Sequence, residues 1–191
     1  MNCIFLLLGS NIDKEINLPA AVTMLRRTCH VVQLSAVFET VPMGLKEQPN
    51  FFNMAALIET DLDPCQIKQQ IIQPIEIELQ RQRKADKNAP RTIDLDIILY
   101  NDEVFDYIPD NGRIHHLPDP DILRFAHVAV PLADLAPDKL HPETGQTLSN
   151  IAAQLMTAAE KDGLILLWKR EDFLISEHQQ NGKTRQSAAS N

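Results

Sequence analysis

The sequence predicts an α+β protein: an antiparallel sheet in the ferredoxin-like order β-α-β-β-α-β, with helices on one face and a C-terminal extension. Three observations carry this prediction. Short stretches read as strands, either by alternation or as compact apolar runs. Between them apolar residues recur every three or four positions, and clusters of Gly, Pro, Asn and Asp punctuate the joins. At 191 residues the chain holds one domain with a full core, expected over residues 1–170. A polar, Gln- and Ser-rich tail, residues 171–191, is expected to be disordered.

The elements follow in order. "CIFLLLG", closed by Gly9-Ser10-Asn11, is a buried strand and its turn. Leu18, Val22, Leu25 and Cys29 repeat at helical spacing, with Pro19 expected in the first turn, where a missing N–H is tolerated. "VVQLSAVFET" returns to alternation, placing Val32, Leu34, Ala36 and Phe38 on one face. After the loop "VPMGLKEQPN", the strand "FFNMAALIET" sorts Phe52, Met54, Ala56 and Ile58 to one face and Phe51, Asn53, Ala55 and Leu57 to the other.

Asp63-Pro64 is an N-cap and first-turn pair opening a helix striped by Ile67, Ile71, Ile75 and Leu79. Pro74 should kink or interrupt that helix. The strand "APRTIDLDIILY" sets Ile93, Leu95, Ile97 and Leu99 on one face, and Asp94, Asp96, Ile98 and Tyr100 on the other. Beyond Asn101, "PDPDILRFAHVAVPLADLAPD" reads as short helices broken by prolines, "LSNIAAQLMTAAE" as an amphipathic helix and "LILLWK" as a last strand. His30 and His141 read as surface residues.

Composition narrows the function classes. A formal net charge of −8 argues against a nucleic-acid backbone as partner. Three widely spaced cysteines (Cys3, Cys29, Cys65) fit a reducing cytoplasm, and no stretch reads as a signal or membrane segment. A soluble cytoplasmic protein acting on small molecules is expected. A monomer or weak oligomer is the expectation for assembly.

The chemistry concentrates in "APRTIDLDIILY". Asp94 and Asp96 project from one face of an apolar strand about 7 Å apart at their Cα atoms. Two anions there need compensation, either from solvent on an exposed edge or from a divalent cation such as Mg²⁺ that also meets substrate phosphates. Arg81, Arg83, Lys84, Lys87 and Arg91 precede them in an otherwise acidic chain, and guanidinium groups match phosphate oxygens. The pair together with the cations favours a nucleotide triphosphate over a merely solvated strand. No Walker-type P-loop or protein-kinase motif is present, so any phosphoryl chemistry uses another scaffold.

The segments "LLLGSN", "FETVPMG", "QPNFFNMAALIET", "IEIELQRQR" and "APRTIDLDIILY" resemble, in order and spacing, the 6-hydroxymethyl-7,8-dihydropterin pyrophosphokinase family of folate biosynthesis, over roughly residues 1–150. The resemblance implies transfer of pyrophosphate from ATP to the hydroxymethyl oxygen of the pterin, releasing AMP. It implies that Asp94 and Asp96 hold two Mg²⁺ ions and that Arg83 and Arg91, assisted by Arg81, hold the triphosphate. Gln73, Glu76, Ile97 and Arg124 join Arg83 and Arg91 on the nucleotide side. Thr40, Met43, Phe51, Asn53 and His127 form the pterin pocket, with Phe51 as stacking surface and Asn53 as reader of the ring edge.

The chain departs from the family pattern at four positions. Asn88 stands where a tryptophan is common, and Asp119 where Pro-His-Pro carries a histidine, which His115 or His116 could replace. Phe125 and His127 stand where an arginine and a second stacking phenylalanine are usual, with Arg124 one residue out of register. The loops "VPMGLKEQPN" and "RKADKNAPR" are expected to close over the substrates, less tightly for want of the tryptophan. The same fold with an altered acceptor or lost activity is the alternative. An RNA-recognition motif shares the element order, but its aromatic RNP pattern is absent.

Overall fold

A computed structural model describes residues 1–42, 47–82, 89–109, 112–161, 167–173 and 175. Met43, Arg83 and Asn88 lie outside the described residues, as do the tips of both loops expected to close. Strand β1 (Asn2–Ser10) pairs antiparallel with β4 (Phe51–Thr60) on one side and β5 (Asp94–Tyr100) on the other. The far edge of β4 is shared by β2 (His30–Leu34) and β3 (Phe38–Thr40), and β3 is covered in turn by β8 (Leu167–Lys169). The sheet therefore runs β5-β1-β4-β3-β8, with β2 also on β4. A separate hairpin, β6 (Phe105–Tyr107) and β7 (His115–Leu117), had no sequence signal strong enough to be expected.

Helix α1 (Lys14–Thr28) starts earlier than the apolar stripe suggests, so Pro19 sits inside it. An internal proline costs about 3 kcal/mol. The burial of Leu18, Val22 and Leu25, each fully enclosed, is worth about 1.5–3 kcal/mol per side chain and outweighs it. The second helix opens at α2 (Pro64–Ile67) on a capping box, in which Asp63 accepts from the Gln66 N–H and Gln66 accepts from the Asp63 N–H. It passes through a π-helical segment, Lys68–Ile72, before α3 (Gln73–Glu78). The Gln73 N–H reaches back to the Lys68 carbonyl, five residues away. This wider turn comes just ahead of Pro74, which has no N–H to give, so the helix is interrupted there as a local change of pitch. The stripe Ile67, Ile71, Ile75 stays on the core side through it.

The sheet carries a core on each face. Ile4, Leu6, Leu8, Phe52, Met54, Ala56 and Ile58 meet α1 and the α2–α3 helix. Phe5, Ala55, Ile98 and Leu99 meet α4 (Ala126–Leu135) and α5 (Leu148–Lys161). Helices thus lie on both faces. The expectation of helices on one face fails because the segment beyond Asn101 packs back onto the sheet, with α4 continuing through Pro131.

Two strands also depart from strict alternation. In β5 the register with β1 slips so that Ile98 has no partner on β1, which turns Leu99 to the α4 side and Tyr100 to the α1 side, the reverse of the expected faces. In β2 a slip at Val32 leaves that side chain exposed, and residues 35–37 separate β2 from β3. Of the segment expected to be a free tail from Glu171, Phe173 and Ile175 pack against the first core. His141 is fully buried, contrary to its surface reading, with Nδ1 accepting from the Glu143 N–H. Among the described residues no helix is long and apolar enough to cross a membrane.

Candidate active site

A cavity of about 400 Å³ opens on the sheet face that α4 covers only in part. Its floor follows from the register. Gly9 is aligned with Asn53 on one side and Asp94 on the other, and Leu7 one row on with Ala55 and Asp96. Gly9 keeps the floor open, because a Cβ there would come within 3.2 Å of the Asn53 Oδ1. Thr40, Phe51 and Asn53 line the cavity from β3 and β4, and Asp94, Asp96 and Ile98 from β5. The opposite wall is built from Asp119, Asp121, Arg124, Phe125 and His127, around a 3₁₀ turn (Pro120–Leu123) and the start of α4.

The two aspartates are each met by cations. Arg91 donates through Nη1 to the Asp94 Oδ2, and the Arg81 Nη2 lies 3.6 Å from the Asp94 Oδ1. Lys68 Nζ lies 3.2 Å from the Asp96 Oδ1 and 3.4 Å from the Leu95 carbonyl. Lys68 escaped the sequence reading, since nothing local links it to a strand 28 residues away; it reaches β5 from the first position of the π segment. Buried Glu76 accepts from the Leu95 N–H at 3.3 Å. Glu76 and Lys68 thereby satisfy both backbone groups of the residue between the aspartates, on the outer edge of the sheet, where unpaired groups would otherwise remain.

Asn11, nearly fully buried, holds the approach to this strand. Its Oδ1 accepts from the Arg91 N–H at 2.7 Å, and its Nδ2 donates to Gln48 and to the Pro49 carbonyl. One side chain thus ties the end of β1 to the segments before β4 and β5. On the other half of the cavity, Asn53 Nδ2 donates to the Thr40 Oγ1 at 2.8 Å, leaving its carbonyl oxygen beside Gly9. Phe51 lies under the Arg91 guanidinium, 5.8 Å from its carbon to the ring centre. Phe125 and His127 stack with ring centres 5.4 Å apart, and Arg124 lies over Phe125 while reaching Asp121.

Burial lowers the His127 pKa, with Asp121 opposing and Arg91 reinforcing, so the ring is neutral at physiological pH. Burial also drives Asp119 up to about 6, helped by Asp121 and Asp96 and opposed by the Asp121 N–H and by Lys68.

The structure therefore gathers Thr40, Phe51, Asn53, Arg91, Asp94, Asp96, Arg124 and His127 around one cavity, with Arg81 joined to it through Asp94. It does not bring all the expected residues there. The Ile97 side chain lies in the first core, because alternation turns it away from the aspartates. Gln73 is exposed on α3, and Glu76 supports β5 from beneath rather than lining the cavity. His115 and His116 do not line it either; Asp119 does. Two oxygen-donor side chains facing the cavity from one strand fit a hard divalent cation that keeps other positions for water or phosphate. Among the described residues no group of three or more His, Cys, Asp or Glu side chains is set to enclose a metal.

A family model described as 7,8-dihydro-6-hydroxymethylpterin-pyrophosphokinase (HPPK) matches residues 5–137. The chain is 37% identical over 139 residues to the 2-amino-4-hydroxy-6-hydroxymethyldihydropteridine pyrophosphokinase of Bacillus subtilis, covering 70% of this chain and 78% of that protein. It is 32% identical over 175 residues to the folic acid synthesis protein fol1 of Pneumocystis carinii, covering 91% of this chain but only 23% of that protein. The fol1 relative of Schizosaccharomyces pombe gives 36% identity over 154 residues, again with 20% of the relative's length spanned. Among solved structures, a Plasmodium falciparum HPPK-DHPS triple mutant with pteroate superposes with a TM-score of 0.68 at 14% identity, over 86% of this chain and 45% of that one. At that identity the likeness speaks to the fold.

Proposed function

The chain belongs to the 7,8-dihydro-6-hydroxymethylpterin-pyrophosphokinase family, and from that premise we propose that it transfers pyrophosphate from ATP to 6-hydroxymethyl-7,8-dihydropterin, releasing AMP, in folate synthesis. The observation that carries the reading is the shared floor of the cavity: a polar-aromatic half (Thr40, Phe51, Asn53) and a carboxylate-cation half (Asp94, Asp96, Arg91) meet across Gly9. The antiparallel order β5-β1-β4, with β2 and β3 beyond, supports reading the first six elements as ferredoxin-like. The widely spaced cysteines support a reducing compartment.

In this reading the hydroxymethyl oxygen attacks the β-phosphorus and gives up its proton to water, the bond from that phosphorus to the α,β-bridging oxygen breaks, and AMP leaves with the bridging oxygen. Phe51 stacks on the pterin, and Asn53, oriented by Thr40, reads its edge. Arg91 and Arg81, which neutralise Asp94 here, are the guanidinium groups placed to take phosphate oxygens. Asp94 and Asp96 would hold Mg²⁺, two ions in the full reading, which would supply charge neutralisation for the triphosphate. The Asn11 bridge and the Glu76 and Lys68 contacts keep the carboxylates oriented, so little reorganisation is needed when substrates enter.

The test is AMP formation from ATP and Mg²⁺, with and without the dihydropterin, in wild type and Asp96→Asn. AMP is expected only with the pterin and should fall by about two orders of magnitude or more in the variant. No AMP from the wild type, or AMP independent of the pterin, overturns the reading. The His127–Phe125 wall favours one second reading, a related acceptor with a differently shaped ring system. Turnover of pterin analogues in preference to the hydroxymethyl compound would select it.

A further inference from the structure

Behind the acceptor half of the cavity, on the other face of the sheet, lies a row of charges that none of the site chemistry uses. Glu39 sits between Phe38 and Thr40 on β3, so its side chain points away from the cavity into which Thr40 faces. Its Oε1 accepts from Lys14 Nζ at 2.8 Å, and Lys14 also donates to the Asn50 carbonyl at 2.9 Å, one residue before Phe51. Its Oε2 accepts from the Arg170 Nη1 at 2.5 Å, and Arg170 forks onto both oxygens of Asp172, at 2.8 and 2.7 Å. The Lys14 and Glu39 side chains are each only 12% exposed.

All of this is built over Phe52, the β4 residue directly opposite Glu39. Lys14 lies 4.3 Å from the ring centre and Arg170 4.9 Å, while Phe173 packs against it at 5.1 Å. β8 holds the same place from the backbone: Leu167 is aligned with Thr40, and the Arg170 N–H donates to the Val37 carbonyl. Residues 167–173 lie beyond residues 5–137, the part of the chain that the family model matches.

We propose that the Asp172–Arg170–Glu39–Lys14 relay is the positioning device of the acceptor wall, and that residues 167–173 are thereby part of the working enzyme. The proposal rests on the acceptor reading given above. The relay fixes Thr40 through Glu39 and Phe51 through the Asn50 carbonyl. Its reach to the nucleotide side is indirect, through Phe51 under the Arg91 guanidinium, while Asp94, Asp96 and Arg91 are held by contacts of their own with Arg81, Lys68 and Asn11. Its members are positioning residues, and its effect falls mainly on one substrate. The electrostatics agree: burial pushes Glu39 up, but the hydrogen bonds from Lys14 and Arg170 prevail and hold its carboxyl below the ordinary range.

The test compares wild type, Glu39→Gln, Arg170→Gln and the double variant in steady-state kinetics and in direct equilibrium binding of the dihydropterin. Each single variant should raise the KM and Kd for the pterin about tenfold, equivalent to about 1.4 kcal/mol. The KM for ATP and kcat should stay within about twofold, and the double variant should be no worse than either single one, as members of one relay require. Glu39→Gln keeps the shape of the side chain, so it reports even if Arg170→Gln folds poorly. An unchanged pterin Kd, or equal losses for pterin and ATP, overturns the relay while leaving the reaction standing. A wild type that binds no pterin overturns the acceptor reading and the relay together. Pterin binding without turnover, weakened in the variants, overturns the reaction and supports the relay.

Discussion

Asp119 shows how much one residue's surroundings alter its chemistry. It stands at the cavity wall with its carboxylate accepting from the Asp121 N–H, yet burial first, and then Asp121 and Asp96, raise it from the usual 3.8 to about 6. The folded state therefore holds this proton more tightly than the unfolded chain does. The stability contributed is fully present below about pH 4 and is lost as pH rises through about 6. Asp119→Asn keeps an oxygen for the Asp121 N–H and removes the titration. In ligand-free protein its thermal midpoint should match wild type below about pH 4 and exceed it above about pH 7; a lower midpoint at high pH would show that the charge is compensated. Asp119 was legible in the sequence as a departure from a pattern, whereas Lys68 was not, because its partner Asp96 is joined to it only by the fold.

At the scale of elements, β4 could be read in full, since one face meets the first core, the other meets the cavity and the second core, and alternation survives intact. β5 could be read only as far as Ile97, because the slip that follows is decided by pairing with β1 and leaves no mark in its own apolar run. The prolines misled for a related reason: local chemistry places Pro19 and Pro131 at helix starts or breaks, and burial overrides it. Glu76, expected at the nucleotide, has a role on an element as well, closing the outer edge of β5 at Leu95. Glu76→Ala should cost about 1–3 kcal/mol by chemical denaturation, the cost of a buried amide left without its acceptor. It should also speed exchange of the Leu95 amide while leaving amides at the centre of β4 to follow global stability. Uniform acceleration in both strands would contradict this local role.

For the whole molecule, the layer formed by α4 and α5 decides where a site can exist, since the cavity is the part of that sheet face which α4 leaves open. The helices were legible but their place was not, because α4 carries Pro131 and both lie far in sequence from the strands they cover. The segment joining α4 to α5 is braced to the β6–β7 hairpin by His116, whose ring nitrogens meet Asp106 of the same hairpin at 2.6 Å and Glu143 of that segment at 3.1 Å. Those hydrogen bonds raise the His116 pKa above 6.5, outweighing a small opposing effect of burial. A raised histidine contributes stability that is complete below its unfolded pKa and disappears as pH climbs through the folded one. Exchange protection in residues 105–107 and 115–117 should therefore decline as pH rises beyond the ordinary histidine value of 6.5. His116→Gln should flatten that profile, and a profile identical to wild type would assign the brace no role.

That Ile98 is skipped in the register with β1 has a consequence for how the strand tolerates a change of length. A regular strand would carry Leu99 toward α1 and Tyr100 toward α4, the reverse of what is seen. The surplus residue restores the parity, so a relative lacking it would present both halves of β5 unchanged, aspartates included. The strand can gain or lose one residue at this point without turning its aspartates over.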